Sequence, residues 1–421
     1  MKPENKSVKK ASAIIFALCF VTYTCSYIGR MNYSACMSSM IDDGLFDKIF
    51  AGYLITAFLI CYGAGQLING LVGNHISPRI MISTGFIGAA TANLFMALIP
   101  NKYALLIIWG LCGYFSSMFW SSIIRTFSEW LPDSKRYRAG LFISLTIPIG
   151  TILSYLMSSI TLKISNWKTT FISSAIVLII ALIVWIVGQI AVKNYWNITD
   201  TENRNRRNEI IKSGEKYKDI PLIKIILTTG LFAAIFTILF TGALKEPVIN
   251  MIPRYLKEQF NISSSFASLL SIILPVISIP GAFVATYLNN KFFKNEIKTC
   301  SFMFIIAALA MGLTFFFNQF SVLLAAILTG FSISAMWGVN TMLLTFIPYH
   351  FNKIGKSSSI TGLLNCCAQI SSAAFSTIYA YSSVTIGWNN TVLIWACLAA
   401  GGMFISISFA HLWAKNRSKF E

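Results

Sequence analysis

KTTFISSAIVLIIALIVWIVGQIAV, residues 168–192, runs directly into KNYWNITDTENRNRRNEIIKSGEKYKDIP, residues 193–221. The first stretch is apolar after its opening lysine and long enough, as a helix, to cross a hydrocarbon layer of about 30 Å. The second is polar, basic and poor in apolar residues, so it reads as a linker. Apolar runs of the first kind recur on both sides of it. Before it they cover 11–38, 49–73, 79–99, 103–128 and 137–163; after it they cover 222–250, 262–288, 297–317, 320–347, 357–384 and 389–413. That makes twelve spans, six on each side. Lipid admits only helices or closed barrels, and these runs lack the alternation over about ten residues that barrel strands show. The predicted fold is an all-α membrane protein of twelve transmembrane helices. Its N-terminal six-helix half covers 1–192, its linker 193–221 and its C-terminal six-helix half 222–421.

Composition agrees. The 421 residues are 56% hydrophobic and 11% charged, with a mean hydropathy of +0.67. A soluble domain carries about 25% charged residues. Soluble enzymes, nucleic-acid binders and secreted disulfide scaffolds are therefore excluded. The net charge of +18 has an explanation in the membrane. With the N-terminus in the cytoplasm, the inner segments hold 24 of the Lys and Arg residues and the outer segments 6. This bias predicts a multi-pass protein of the cell (inner or plasma) membrane with both termini cytoplasmic. The first run is too long for a cleaved leader and reads as an uncleaved span. The nine cysteines lie in apolar runs with no CxxC pair and read as small hydrophobes.

The halves also look like copies. Arg30 and Lys245, lone cations in the first and seventh spans, lie 215 apart; the stretches Gly65–Asn74 and Gly281–Asn290 lie 216 apart. Gly140 and Gly362 are 222 apart, and Trp167 and Trp388 are 221 apart. Two homologous halves related by an axis along the membrane normal resemble the major facilitator architecture, which implies a substrate site between the halves near the midplane.

Charges inside the spans point to that site. An intramembrane cation costs at least ~2.5 kcal/mol, so it needs a purpose or a partner. Of fifteen carboxylates, only Glu246 lies well inside a span, and Glu129 sits at an inner end. Two cations against one acid make an electropositive interior suited to an anion. The alternative is structural, with Lys245 paired to Glu246 and Arg30 bound to carbonyls. Adjacent helical residues point about 100° apart, which makes that pairing geometrically poor. Arg125 and Glu129, four residues apart near the end of the fourth span, read as a gate or a helix-end ion pair. No catalytic triad, phosphate-binding glycine loop or flavin fingerprint is present, so no enzyme and no cofactor are expected. His75, His350 and His411 lack metal-ligand spacing, and no metal is expected.

Several stretches resemble the organophosphate:phosphate antiporter family, which includes bacterial glycerol-3-phosphate and hexose-phosphate transporters. YIGRMN (27–32) is similar to that family's Tyr-x-x-Arg segment, and YGAGQLINGLVGNHISPR (62–79) to its second-span signature. LKEPVINMIPRYL (244–256) is similar to its RDG-xxx-W-x-P-x-YL stretch, and WSSIIRTFSEW (120–130), Asn166–Trp167 and GLLN (362–365) also fit. The likeness covers nearly the whole chain outside the linker. It implies that Arg30 and Lys245 hold a phosphate. Tyr27 on the face of Arg30, the polar stripe of Tyr62 and Gln66 on the second span and Asn365 on the eleventh are the candidate donors around them, each also readable as helix–helix glue. Departures bear on the cargo. Gln66 stands where glycerol-phosphate transporters have a lysine, the fifth span has no histidine, Lys245 replaces an arginine, and Pro247 replaces a glycine. Asn74 and Asn290 stand where the superfamily usually has a gating aspartate.

The expectation is a secondary active transporter of a small organic anion, a phosphorylated metabolite first. The anion bridges Arg30 and Lys245, and access alternates. Two such cations about 10 Å apart repel by roughly 1.7 kcal/mol at an effective dielectric of about 20, which a bridging anion removes. Inorganic phosphate or a proton is the expected counter- or co-ion, with Glu246 the candidate proton carrier. The lipid bilayer is the other partner, nucleic acid is not one, and the protein is expected to be a monomer. A proton- or cation-coupled carboxylate symporter and a transporter-like sensor of sugar phosphates remain alternatives.

Overall fold

Long uncharged runs become long helices here, and their ends are set by local caps. The computed structural model describes residues 6–72, 76–131, 139, 142–192, 222–317, 319–351 and 357–416. Spans 1 to 6 are Lys6–Asp42, Lys48–Val72, Pro78–Leu98, Lys102–Trp130, Thr146–Ile164 and Trp167–Ala191. Spans 7 to 12 are Leu231–Phe260, Ser264–Phe293, Glu296–Phe317, Val322–Tyr349, Ser357–Thr385 and Gly387–Asn416. No strand occurs among the described residues. Ser77, Asn101, Asn166, Ser263 and Ser321 each accept a backbone N–H at the start of a span, supplying a partner that helix ends lack.

Eleven of these helices are long and apolar enough to cross a membrane. Span 11 is the exception, because serine and threonine crowd it. Its polar groups face protein: Ser371 donates to the Leu239 carbonyl, Ser372 to that of Gly242 and Tyr379 to that of Ala243. Such bonds glue helices where water is absent.

Span 7 departs from its expected limits of 222–250. A separate helix, Leu222–Thr229, ends at Gly230 (φ 76°), and the span proper begins at Leu231. It breaks at Lys245 (φ −95°, ψ −80°) and resumes as Glu246–Phe260. Pro247 explains the break. Its ring nitrogen cannot bond the carbonyl four residues back, and proline is well placed in the first turn of a new helix. The carbonyl so freed, that of Ala243, takes the Tyr379 hydroxyl instead at 3.0 Å. The helix then runs on through PRYLKEQF, whose Tyr255 and Leu256 are buried, past the end that polarity alone suggested.

Contacts repeat between the two sets of six spans. Span 2 packs on 4, 3 on 4 and 6, and 1 on 5 and 6; correspondingly, 8 packs on 10, 9 on 10 and 12, and 7 on 11 and 12. Individual bonds repeat too. Trp167 Nε1 donates to Asp43 at 2.7 Å, and Trp388 Nε1 to Glu258 at 2.8 Å. Gly65 lies so close to Ser117, and Gly281 to the Ser334 backbone, that a Cβ at either would collide. Across the two sets, span 1 meets 7, span 2 meets 11 and span 5 meets 8.

Candidate functional site

Span 1 and the broken span 7 meet at the centre of the molecule, and their charged residues meet there too. Arg30 Nη2 lies 3.3 Å from Glu246 Oε2, and Lys245 Nζ lies 3.4 Å from Glu246 Oε1. The three side chains are only 7–12% exposed. This corrects the expectation that Lys245 and Glu246 point apart. The 100° separation holds on a continuous helix, and the chain breaks between them. One carboxylate therefore bridges the two cations, each oxygen taking one. Four residues on, Ser34 donates to Asn250 at 2.7 Å. Both cross-pairs are 216 residues apart, the offset between the Gly65 and Gly281 stretches, so they join equivalent positions of the two halves. Equivalent residues can touch each other only at the axis that relates them.

Aromatic rings line the rest of the site. The Arg30 guanidinium lies 4.7 Å from the Tyr62 ring centre, 5.2 Å from Tyr27 and 5.3 Å from Phe58. Lys245 Nζ sits 4.3 Å over Trp337 and 3.4 Å from Asn340 Oδ1. Desolvated cations gain about 2 kcal/mol from such ring faces, which helps hold them in an apolar bundle. A cavity of about 30 Å³ adjoins Glu246, bordered by Tyr27, Thr151, Ser278 and Trp337 among apolar side chains.

The expected residues thus divide. Arg30, Lys245, Tyr27, Tyr62 and Glu246 form one cluster. Gln66 and Asn365 bond directly to each other between spans 2 and 11, toward the side that carries the termini. On that same side Arg125 donates to the Ile76 carbonyl at 2.8 Å. Asn74 and the Glu129 side chain lie outside the described residues, so the expected Arg125–Glu129 pairing does too. Asn290 is exposed on a π-helical turn, Asn289–Phe293; its buried neighbour Asn289 accepts a bond from Thr299 instead.

A second cluster, on the far side, was not foreseen. Arg254, fully buried, donates to Glu258, to the Lys48 carbonyl and to Ser383, and its guanidinium lies 5.4 Å from the Trp388 ring centre. Lys48 reaches Glu258 at 3.1 Å, and Lys257 pairs with Asp42. The two halves are therefore pinned together on that side by ion pairs. Sequence reading counted Lys48, Arg254 and Lys257 only among the six cations of the outer segments. The i,i+4 spacing of Arg254 and Glu258 was the available signal.

The Major Facilitator Superfamily description matches residues 19–376. The chain belongs to that superfamily. Among its relatives is the glycerol-3-phosphate transporter of Bacillus subtilis (strain 168), 23% identical over 329 residues, covering 75% of this chain and 73% of that one. A "Probable hexose phosphate transport protein" of Chlamydia muridarum (strain MoPn / Nigg) is 26% identical over 176 residues, which is 42% of this chain and 39% of the relative's length. These similarities bear out the resemblance to organophosphate:phosphate antiporters. Among solved structures, a D-xylose-proton symporter superposes with a TM-score of 0.71 at 14% identity, covering 98% of this chain and 99% of that one. A peptide transporter in complex with sulfate gives 0.72 at 12% identity, covering 97% and 96%. At such identities these two speak for the fold. This superfamily member is a multi-pass membrane transporter and not an enzyme.

Proposed function

We propose that this transporter carries a small organic anion, first among them a phosphorylated metabolite, by alternating access. One observation carries the reading: Arg30 from one half and Lys245 from the other converge on a single carboxylate at the axis between the halves. A position that already holds one carboxylate between two cations suits the anionic head of a cargo. Its location at a break in span 7 supports the same reading, because discontinuous helices expose the backbone that transporter sites use. Relatives named for glycerol-3-phosphate and hexose phosphate transport point the same way.

In this reading the cargo's head displaces Glu246, draws Arg30 and Lys245 together and favours an occluded state. The halves then rock about it. Inorganic phosphate serves as exchange partner, or a proton as co-ion, with Glu246 the titratable group at the site. The protein works as a monomer in the cell membrane with both termini in the cytoplasm, as its basic segments indicate.

Because Glu246 itself is a carboxylate, a small carboxylate cargo is the second reading, and Lys245→Arg separates the two. The added guanidinium fork preserves or strengthens phosphate binding and weakens a carboxylate fitted to a compact ammonium. Uptake of labelled anions into proteoliposomes is the primary test. Saturable ligand binding with no sustained flux would instead indicate a sensor and overturn the transport reading.

A further inference from the structure

Glu246 already does what a cargo's head group would do, and this limits what the cargo can be. Its two oxygens are divided between Arg30 and Lys245, and all three side chains are buried. The site is thus internally satisfied, with two positive charges and one negative. A phosphate that takes both cations must release the Glu246 carboxylate. A buried carboxylate stripped of its partner is strongly unfavourable in such surroundings.

The space beside Glu246 shows what could meet it. The cavity there is lined by ring faces and hydroxyls, Tyr27, Trp337, Thr151 and Ser278 among them, and, among the described residues, by no lysine or arginine. A compensating positive charge is missing from that wall. The ring faces of Trp337 and Tyr27 are nonetheless good neighbours for an ammonium, and Trp337 already plays this part for Lys245 at 4.3 Å.

We propose that the cargo supplies the charge itself: it is a zwitterionic phosphate, with its phosphate seated between Arg30 and Lys245 and an amine on a short alkyl arm meeting the displaced Glu246. This rests on the phosphorylated-anion reading above. Glu246 is then at once the internal competitor for the phosphate position and the receptor for the amine. The departures from the glycerol-phosphate pattern fit, since a cargo carrying its own positive charge needs fewer cations from the protein.

The test compares aminoethyl phosphate with propyl phosphate, in which a methyl group stands for the ammonium. Binding of each to the purified full-length protein is measured by calorimetry, with wild type and with Glu246→Gln. Wild type is expected to prefer aminoethyl phosphate by about tenfold or more. Glu246→Gln is expected to lose that preference and to bind propyl phosphate about tenfold more tightly than wild type does. Equal or tighter binding of propyl phosphate to wild type overturns the proposal while leaving the phosphate reading intact, as does a preference that survives in Glu246→Gln. Binding of neither compound to either protein overturns both. The wild-type comparison decides the matter alone if Glu246→Gln does not fold.

Discussion

Arg30 and Lys245 offer an anion different things, a rigid fork on one side and a mobile point charge on the other. Removing either leaves Glu246 half-paired and the head-group position one cation short. Arg30→Gln and Lys245→Gln are each expected to lower anion uptake by more than about a hundredfold, the cost of a buried charge pair broken at one end. Wild-type uptake in either variant would remove that residue from the site, and reduced amounts in the membrane would point to folding instead. Both cations were legible in sequence because a charge inside an apolar run has to be explained. Glu246 was noticed for the same reason, but its bridging role was not. Reading the span as one unbroken helix turned Glu246 away from Lys245. Pro247 was the residue that said otherwise, and it had been weighed only as a departure from a family pattern.

The break in span 7 is an element held by a neighbour. With Pro247 unable to bond the Ala243 carbonyl, the Tyr379 hydroxyl of span 11 does so. Tyr379→Phe keeps the ring and removes that donor, so a buried carbonyl is stranded beside Lys245. A loss of about 1–3 kcal/mol in stability is expected, read as a lower melting temperature in detergent, together with weaker ligand binding. Tyr381→Phe, on an exposed side chain, should change neither. Close helix packing gives a second test. Gly281→Ala would drive a Cβ into the Ser334 backbone and should cost about 1–3 kcal/mol. Gly312→Ala meets nothing within 4 Å and should be neutral or mildly stabilising. Span number and order were readable because hydrophobic length is a coarse quantity that lipid enforces. The end of span 7 was not, because PRYLKEQF buries tyrosine, leucine and arginine against other helices while looking like a loop.

At the scale of the whole molecule, the halves meet at a central charge cluster and at the ion pairs Lys48–Glu258 and Lys257–Asp42 on the far side. The proposed alternating access requires that the far-side pairs break in each cycle. Cysteines replacing Asp42 and Lys257, whose side-chain ends are in contact, should be joined by a short reducible cross-linker that spans the length of that ion pair. Transport should then stop and return on reduction; continued flux in the cross-linked protein would show that this side does not open. The duplicated plan was visible in sequence through spaced landmarks such as Trp167 and Trp388. What those tryptophans do was not visible, because a hydrogen bond to a carboxylate on another helix leaves no periodic trace. Trp388 donates to Glu258, and Glu258 also holds Lys48 of the opposite half. Its indole is therefore wired to the far-side closure. If the far side opens as proposed, Lys48 leaves Glu258, the field along that N–H bond changes, and the emission of Trp388 should shift with it. Trp388 would then be an intrinsic optical reporter of that opening, requiring no attached dye and read within the emission of ten tryptophans. Trp388→Phe would silence it.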